Sequence, residues 1–299
     1  MPSAELENLI TMLSATELPD DAPVAQWREA YDTLGQVVPA DPGAEVTEAV
    51  AGGRPALDVR PRGEEPGRTV LYLHGGGYAI GSPVSHRSLA THLAVAARAR
   101  VVVLDYRLAP EHRFPAAVDD ALGAYRALLD GGAPPSALAV AGDSAGGGLT
   151  VATLLAARDA GLPLPACAVC FSPWADLTQS GATIDTKATE DPMVRKLDLD
   201  RWAEAYLGDH DPKDPLASPL FGDLGGLPPL LVYVGSREVL LDDSVVLVER
   251  VREAGGDATL HVGEGLIHVW PQFAGMVPEG TETVGEAAAW VVACMFGSA

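Results

Sequence analysis

Lysine is almost missing from this chain. Only Lys187, Lys196 and Lys213 occur, and the remaining cations are arginines. Together the cations number 20 against 41 carboxylates, a formal charge of −21. Such a charge repels nucleic acid, which is therefore not expected as a partner. Long apolar runs are missing too: nothing approaches the ~18 consecutive residues of a membrane span. The start, Met1-Pro2-Ser3-Ala4-Glu5-Leu6-Glu7, has neither the basic flank nor the apolar centre of a secretory leader. A cytoplasmic location is the expectation. Cysteine is scarce, and three of them do not make a disulfide framework. Cys167 and Cys170 form a CxxC, but in the apolar run Ala166-Cys167-Ala168-Val169-Cys170-Phe171 they should point to opposite faces of a strand. They read as small buried hydrophobes, and no metal site is expected. Repeats and low-complexity tracts are also absent.

What remains is a chain of 299 residues, 47% hydrophobic, long enough for a sizeable core. From about residue 69, apolar runs alternate with helical patterns. The runs are 70–73, 101–104, 138–141, 168–171, 230–234 and 258–262, with helices expected near 86–98, 116–130, 147–160, 242–254 and 282–296. The runs are continuously apolar, as parallel strands covered on both faces require. The fold class is therefore α/β, a mostly parallel sheet flanked by helices. Two regions break the alternation. Residues 1–40 carry amphipathic helix candidates at Glu5–Ser14 and Val24–Leu34. Residues 174–218 insert a polar loop and a helix, Asp200–Leu207, too long for an ordinary connection. Both are expected to pack together as a helical cap over a catalytic domain spanning 41–299.

The chemistry centres on Gly142-Asp143-Ser144-Ala145-Gly146, between an apolar run and a helical one. A serine at a tight strand-to-helix turn needs small neighbours, and glycines two residues away on each side supply them. The hydroxyl is thereby exposed near a helix N-terminus, where developing negative charge is stabilised. Acyl transfer also needs a base and an acid that orients it, in the chain order serine, acid, histidine. Three histidines follow Ser144. His210 falls in the cap insert and His261 in a strand, whereas His268 lies in a loop between the last strand and the last helix. Glu238 is the first carboxylate after the run 230–234 and the first choice for the acid. Asp242 and Asp243 fall where the next helix begins and read as acids that complement its dipole. His74-Gly75-Gly76-Gly77 follows another strand, and its glycines let N–H groups converge on one point, as an oxyanion hole requires. A phosphate-binding loop is excluded, because no Gly-Lys-Ser/Thr follows.

With His74 to Tyr78, Asp105-Tyr106-Arg107-Leu108-Ala109-Pro110-Glu111, Gly142 to Gly147, Ser172-Pro173-Trp174, Ala217-Ser218-Pro219-Leu220 and His268, the chain resembles the bacterial hormone-sensitive lipase family on the α/β-hydrolase fold. The resemblance spans roughly residues 69–296. It implies a serine carboxylesterase for short- to medium-chain esters, needing no cofactor. Ser144 would be the nucleophile and His268 the base, with oxyanion donors at Gly76, Gly77 and Ala145. It further implies loop-fixing roles for Asp105-Tyr106-Arg107 and Asp143, against which plain structural ion pairing is preferred. Family members often dimerise through the last strand, here near 258–262. One departure stands out: the family's acid is most often Asp before Pro-Leu, and here Glu238-Val239-Leu240 occupies that place, which keeps Asp242 as the second choice. A lactone hydrolase using the same triad is the alternative, and a non-catalytic small-molecule receptor a more distant one. An interfacial lipase is disfavoured by the charge of the insert, which carries Asp176, Asp185, Glu190, Asp191, Asp198 and Asp200.

Overall fold

Five short, continuously apolar runs build the centre of the molecule, and a sixth, at 258–262, forms a partly exposed edge. The computed structural model describes residues 2–14, 18–63 and 66–296. Among them a single sheet of eight strands forms. The first two strands, β1 (Ala44–Ala51) and β2 (Arg54–Pro61), make an antiparallel hairpin. Then come β3 (Thr69–Leu73), β4 (Arg100–Leu104), β5 (Leu138–Asp143), β6 (Cys167–Phe171), β7 (Leu230–Gly235) and β8 (Ala258–Gly263). The spatial order is β1-β2-β4-β3-β5-β6-β7-β8, and every pair from β4 to β8 is parallel.

The hairpin was not expected from the sequence. Its strands interleave apolar residues with polar and charged ones and are half exposed, so they lack the continuous runs that mark the other six. Its turn is Gly52-Gly53, both at positive φ (58° and 79°), the glycine pair that a two-residue hairpin favours.

Helices cover both faces. On one side α4 (Ala116–Asp130), α5 (Ala145–Asp159) and α8 (Leu241–Glu253) pack on Leu71, Val102, Val140, Cys170 and Val232. On the other, α3 (Arg87–Ala97) and α9 (Pro278–Phe296) pack on Val70, Tyr72, Val101, Cys167 and Val169. Cys167 and Cys170 thus sit in opposite core layers, both fully buried, as the strand alternation requires.

The N-terminal helices diverge. Helix α1 (Ala4–Ser14) buries Leu6 and Leu9 in the layer of α3 and α9, and Ser3 is tied to Glu279 by two hydrogen bonds of 2.6 and 2.8 Å. Helix α2 (Val24–Val37) instead meets α7 (Lys196–Leu207), the main helix of the insert, which also carries the short α6 (Thr183–Thr186). Trp27 and Trp202 pack edge to face with ring centres 6.0 Å apart, and Arg195 pairs with Asp20 at 2.8 Å. Arg28 fixes α2 from below: it clamps both oxygens of Glu111 and donates to the carbonyls of Ala79 and Ala109.

Candidate active site

Parallel strands in register bring their C-terminal ends to one edge, and the candidate residues emerge there. Leu73 pairs with Gly142, Asp143 with Phe171, and Phe171 with Tyr233. The loop starting at His74, then Ser144, Ser172 and the loop holding Glu238 therefore lie side by side along the sheet.

Ser144 has φ 52° and ψ −123°, a strained turn for a residue with a side chain. The turn is held by its own backbone: Ser144 N–H donates to Phe171 at 2.9 Å, and its carbonyl accepts from Gly147, Gly148 and Trp174. The flanking glycines do more than relieve strain. A β-carbon on Gly142 would meet the carbonyls of Gly146 and Leu73, and one on Gly146 the carbonyls of Leu73 and His74. The glycines let α5 press onto the end of β3.

His268 is buried, and its Nδ1 lies 2.8 Å from Glu238 Oε2. Burial pushes the imidazole pKa down, but the charge and hydrogen bond of Glu238 outweigh it, so the net shift is upward. Glu238 is fully buried, and its other oxygen, Oε1, accepts from Ser172 Oγ at 2.7 Å and from Gly235 N–H at 2.5 Å. Ser172 Oγ also accepts the N–H of Val269 at 3.1 Å, which draws the His268 loop to the end of β6 beside Ser144. Among the described residues no hydrogen bond engages the Ser144 hydroxyl or His268 Nε2.

The glycine loop completes the edge. Gly76 and Gly77 have φ 112° and 58°, conformations that side chains disfavour. Gly75 N–H is taken by Asp143 Oδ1 at 3.1 Å. Among the described residues the N–H groups of Gly76 and Gly77 donate to no protein acceptor. Ala145 opens α5, where an N–H has no carbonyl four residues back. Trp202 closes the loop from above, so near that a β-carbon on Gly77 would lie 2.7 Å from its ring.

Support for this loop comes from a buried network behind it. Asp143 accepts from Tyr72 Oη at 2.8 Å and meets His86 Nε2 at 3.1 Å. Burial would raise the Asp143 pKa, but His86 and Tyr72 hold it below the ordinary value. His74 stacks on Tyr106 with ring centres 4.2 Å apart, and Tyr106 Oη donates to the His74 carbonyl at 2.7 Å. Burial, followed by the charge of His86, lowers the His74 pKa to about 3, so this ring stays neutral. Asp143 and Tyr106 therefore do fix the glycine turn, whereas Arg107 pairs with Asp120 at 2.8 Å.

Other candidates fall elsewhere. Asp242 accepts the Thr183 N–H at 3.0 Å and has no contact with His268. Asp243 is not a surface helix acid: it is buried and accepts from the N–H groups of Ala175 and Asp176. Burial, helped by Asp176 and Asp242 and opposed by those two N–H groups, raises its pKa to about 8. His210 packs against Phe114, and His261 against Tyr233 on the outer strands. Two acids of the insert also turn inward. Asp176 caps the turn of Thr178 and Ser180, while Asp191 Oδ2 accepts Val239 N–H at 3.0 Å, next to Glu238. Nothing in the local sequence marked Asp191 or His86 as parts of this edge, since their partners lie 48 and 57 residues away. Ser172 stands in a segment that resembles the family's, but its bond to Glu238, 66 residues on, was not visible there.

Set against known proteins, residues 70–272 match the α/β-hydrolase fold family. An acetyl-hydrolase of Streptomyces hygroscopicus is 47% identical over 97% of both chains. A crystal structure of an esterase from the bacterial hormone-sensitive lipase family superposes with a TM-score of 0.95, at 44% identity over 99% of each chain. That of the esterase EstE5, soaked with p-nitrophenyl butyrate, gives 0.93 at 41% identity, over 98% of this chain and 99% of the other. The chain belongs to the α/β-hydrolase fold family, and within it to the carboxylic ester hydrolases related to hormone-sensitive lipase.

Proposed function

We propose that this enzyme is a serine carboxylesterase that cleaves short-chain esters through an acyl-enzyme on Ser144. The observation that carries this reading is the buried His268–Glu238 pair, held by Ser172 beside the strained Ser144 turn. Ser144 attacks the ester carbonyl as His268 Nε2 takes its proton. Glu238 keeps Nδ1 protonated and stabilises the imidazolium that forms. The N–H groups of Gly76, Gly77 and Ala145 receive the oxyanion, and each such donor is typically worth about 3–4 kcal/mol in the transition state. His268 then protonates the leaving alcohol, and water releases the acid by the same route in reverse.

Helix α2 and the insert 174–218 serve as the cap in this reading, while α1 packs with α3 and α9 and takes no part in it; Trp27 and Trp202 are the part nearest the oxyanion loop. The Trp202 ring against Gly77 supports small acyl groups over long ones, as does the acetyl-hydrolase relative. A series of p-nitrophenyl esters from acetate to palmitate tests this. The kcat/KM should peak at acetate or butyrate and fall by about 10-fold or more by decanoate, each pair of misplaced methylenes being worth about 1–2 kcal/mol. A maximum at decanoate or beyond would refute the short-chain assignment.

A further inference from the structure

Glutamate in the acid position brings a mechanical difficulty. It has one more rotatable bond than aspartate, so its carboxylate has more ways to swing off the imidazole. Two donors remove that freedom here. Gly235 N–H reaches Oε1 at 2.5 Å, and its place is set by β7. Ser172 Oγ reaches the same oxygen at 2.7 Å and is the only side chain among the described residues that hydrogen-bonds Glu238 besides His268. With Oε1 doubly engaged, Oε2 is the oxygen presented to Nδ1.

Ser172 has a second bond that the acid alone does not require. Its Oγ accepts Val269 N–H at 3.1 Å, one residue from His268. Val269 itself has φ 48°, so the loop turns sharply here. One hydroxyl thus joins the loop of the acid to the loop of the base. Ser172 is fully buried, at φ 50°, with its own N–H bonded to Tyr233 at 2.7 Å. A non-glycine residue rarely takes this conformation, and it costs about 1–3 kcal/mol. The hydroxyl is aimed by a backbone that is itself locked between β6 and β7.

We propose that Ser172 is the positioning residue of the site, fixing Glu238 and His268 relative to each other and to Ser144. It touches no substrate and acts through the other two. The proposal rests on the triad reading above and assigns a role within it. Asp191 supports it from the far side, where it holds Val239 N–H and so anchors the backbone next to Glu238.

The test compares Ser172→Ala and Ser172→Cys with the parent. Alanine removes the hydroxyl. Cysteine fills its volume but donates weakly, and it decides the matter if the alanine variant does not fold. The expected result is a kcat on p-nitrophenyl acetate lowered by about 10- to 100-fold with KM within about two-fold, since small misplacement of a catalytic group costs that much. The second readout is the low-field proton NMR signal of His268 Nδ1–H, identified by its loss in His268→Gln. It should shift or broaden in the Ser172 variants, a change that mere loss of stability in a folded sample would not cause. Folded variants with parental kcat and an unmoved signal would overturn the proposal. Fluorophosphonate labelling of Ser144 in the parent separates the two levels. Without labelling the triad reading itself fails; with labelling and indifferent variants, only the role of Ser172 does.

Discussion

At the scale of single residues, the proposed mechanism makes His268 set the pH response. Its pKa is raised, because the charge and hydrogen bond of Glu238 exceed the opposing effect of burial. If His268 is the base, as proposed, it works only when neutral, so activity should fall as pH drops through a midpoint above the ~6.5 of an ordinary histidine. Glu238→Gln removes the charge that raises it. The limb should then move to lower pH, and kcat should fall by about 10⁴-fold, as when such a carboxylate becomes an amide. Asp242→Asn should stay within about three-fold of the parent, since Asp242 bonds Thr183 rather than His268 and an amide oxygen can still accept the same N–H. A larger loss in Asp242→Asn than in Glu238→Gln, read from kcat–pH profiles, would move the acid role to Asp242. Residue type and chain order put forward Ser144, Glu238 and His268, with Asp242 as the second choice for the acid. Asp243 could not: its place after Leu240-Leu241 reads as a helix start, and only the insert folding back over it makes it a buried acceptor.

Among the elements, the contact between β3 and α5 is the most demanding. Gly146 lies where the helix crosses the carbonyls of Leu73 and His74, and no side chain can yield there because the obstacle is backbone. Gly146→Ala should therefore destabilise by about 3 kcal/mol or more, at or beyond the upper range for overpacking, and lower activity in whatever remains folded. Thermal unfolding followed by circular dichroism checks this; an unchanged Tm would show that the crossing is looser than the geometry says. The strands β3 to β7 were legible because both of their faces are buried, which leaves continuous apolar runs; β8 was legible only from its place in the strand–helix alternation, since this edge strand is largely exposed or half-buried. Strands β1 and β2 were not, because a hairpin at the sheet margin is half exposed and lacks that signal. Gly52-Gly53 was the one local clue. The division of labour between α1 and α2 was equally hidden: both are amphipathic, and only the sheet decides which face each helix meets.

For the molecule as a whole, one edge of a parallel sheet gathers residues from five separate loops. The register of β3, β5, β6 and β7 does the gathering, and the insert and α2 close over it. Motif order revealed which residues gather, but not the ties between loops, such as Ser172 to Val269 or Asp143 to Gly75, because those pairings exist only after folding. Among the described residues no helix is long and apolar enough to cross a membrane. The central claim is that Ser144 carries the acyl group, and it is tested most directly by rapid-quench mass spectrometry during turnover of p-nitrophenyl acetate. The acetyl group should appear on the peptide containing Ser144 and vanish in Ser144→Ala, with kcat falling by at least about 10⁴-fold. An unacylated Ser144 peptide together with parental turnover in Ser144→Ala would contradict the account.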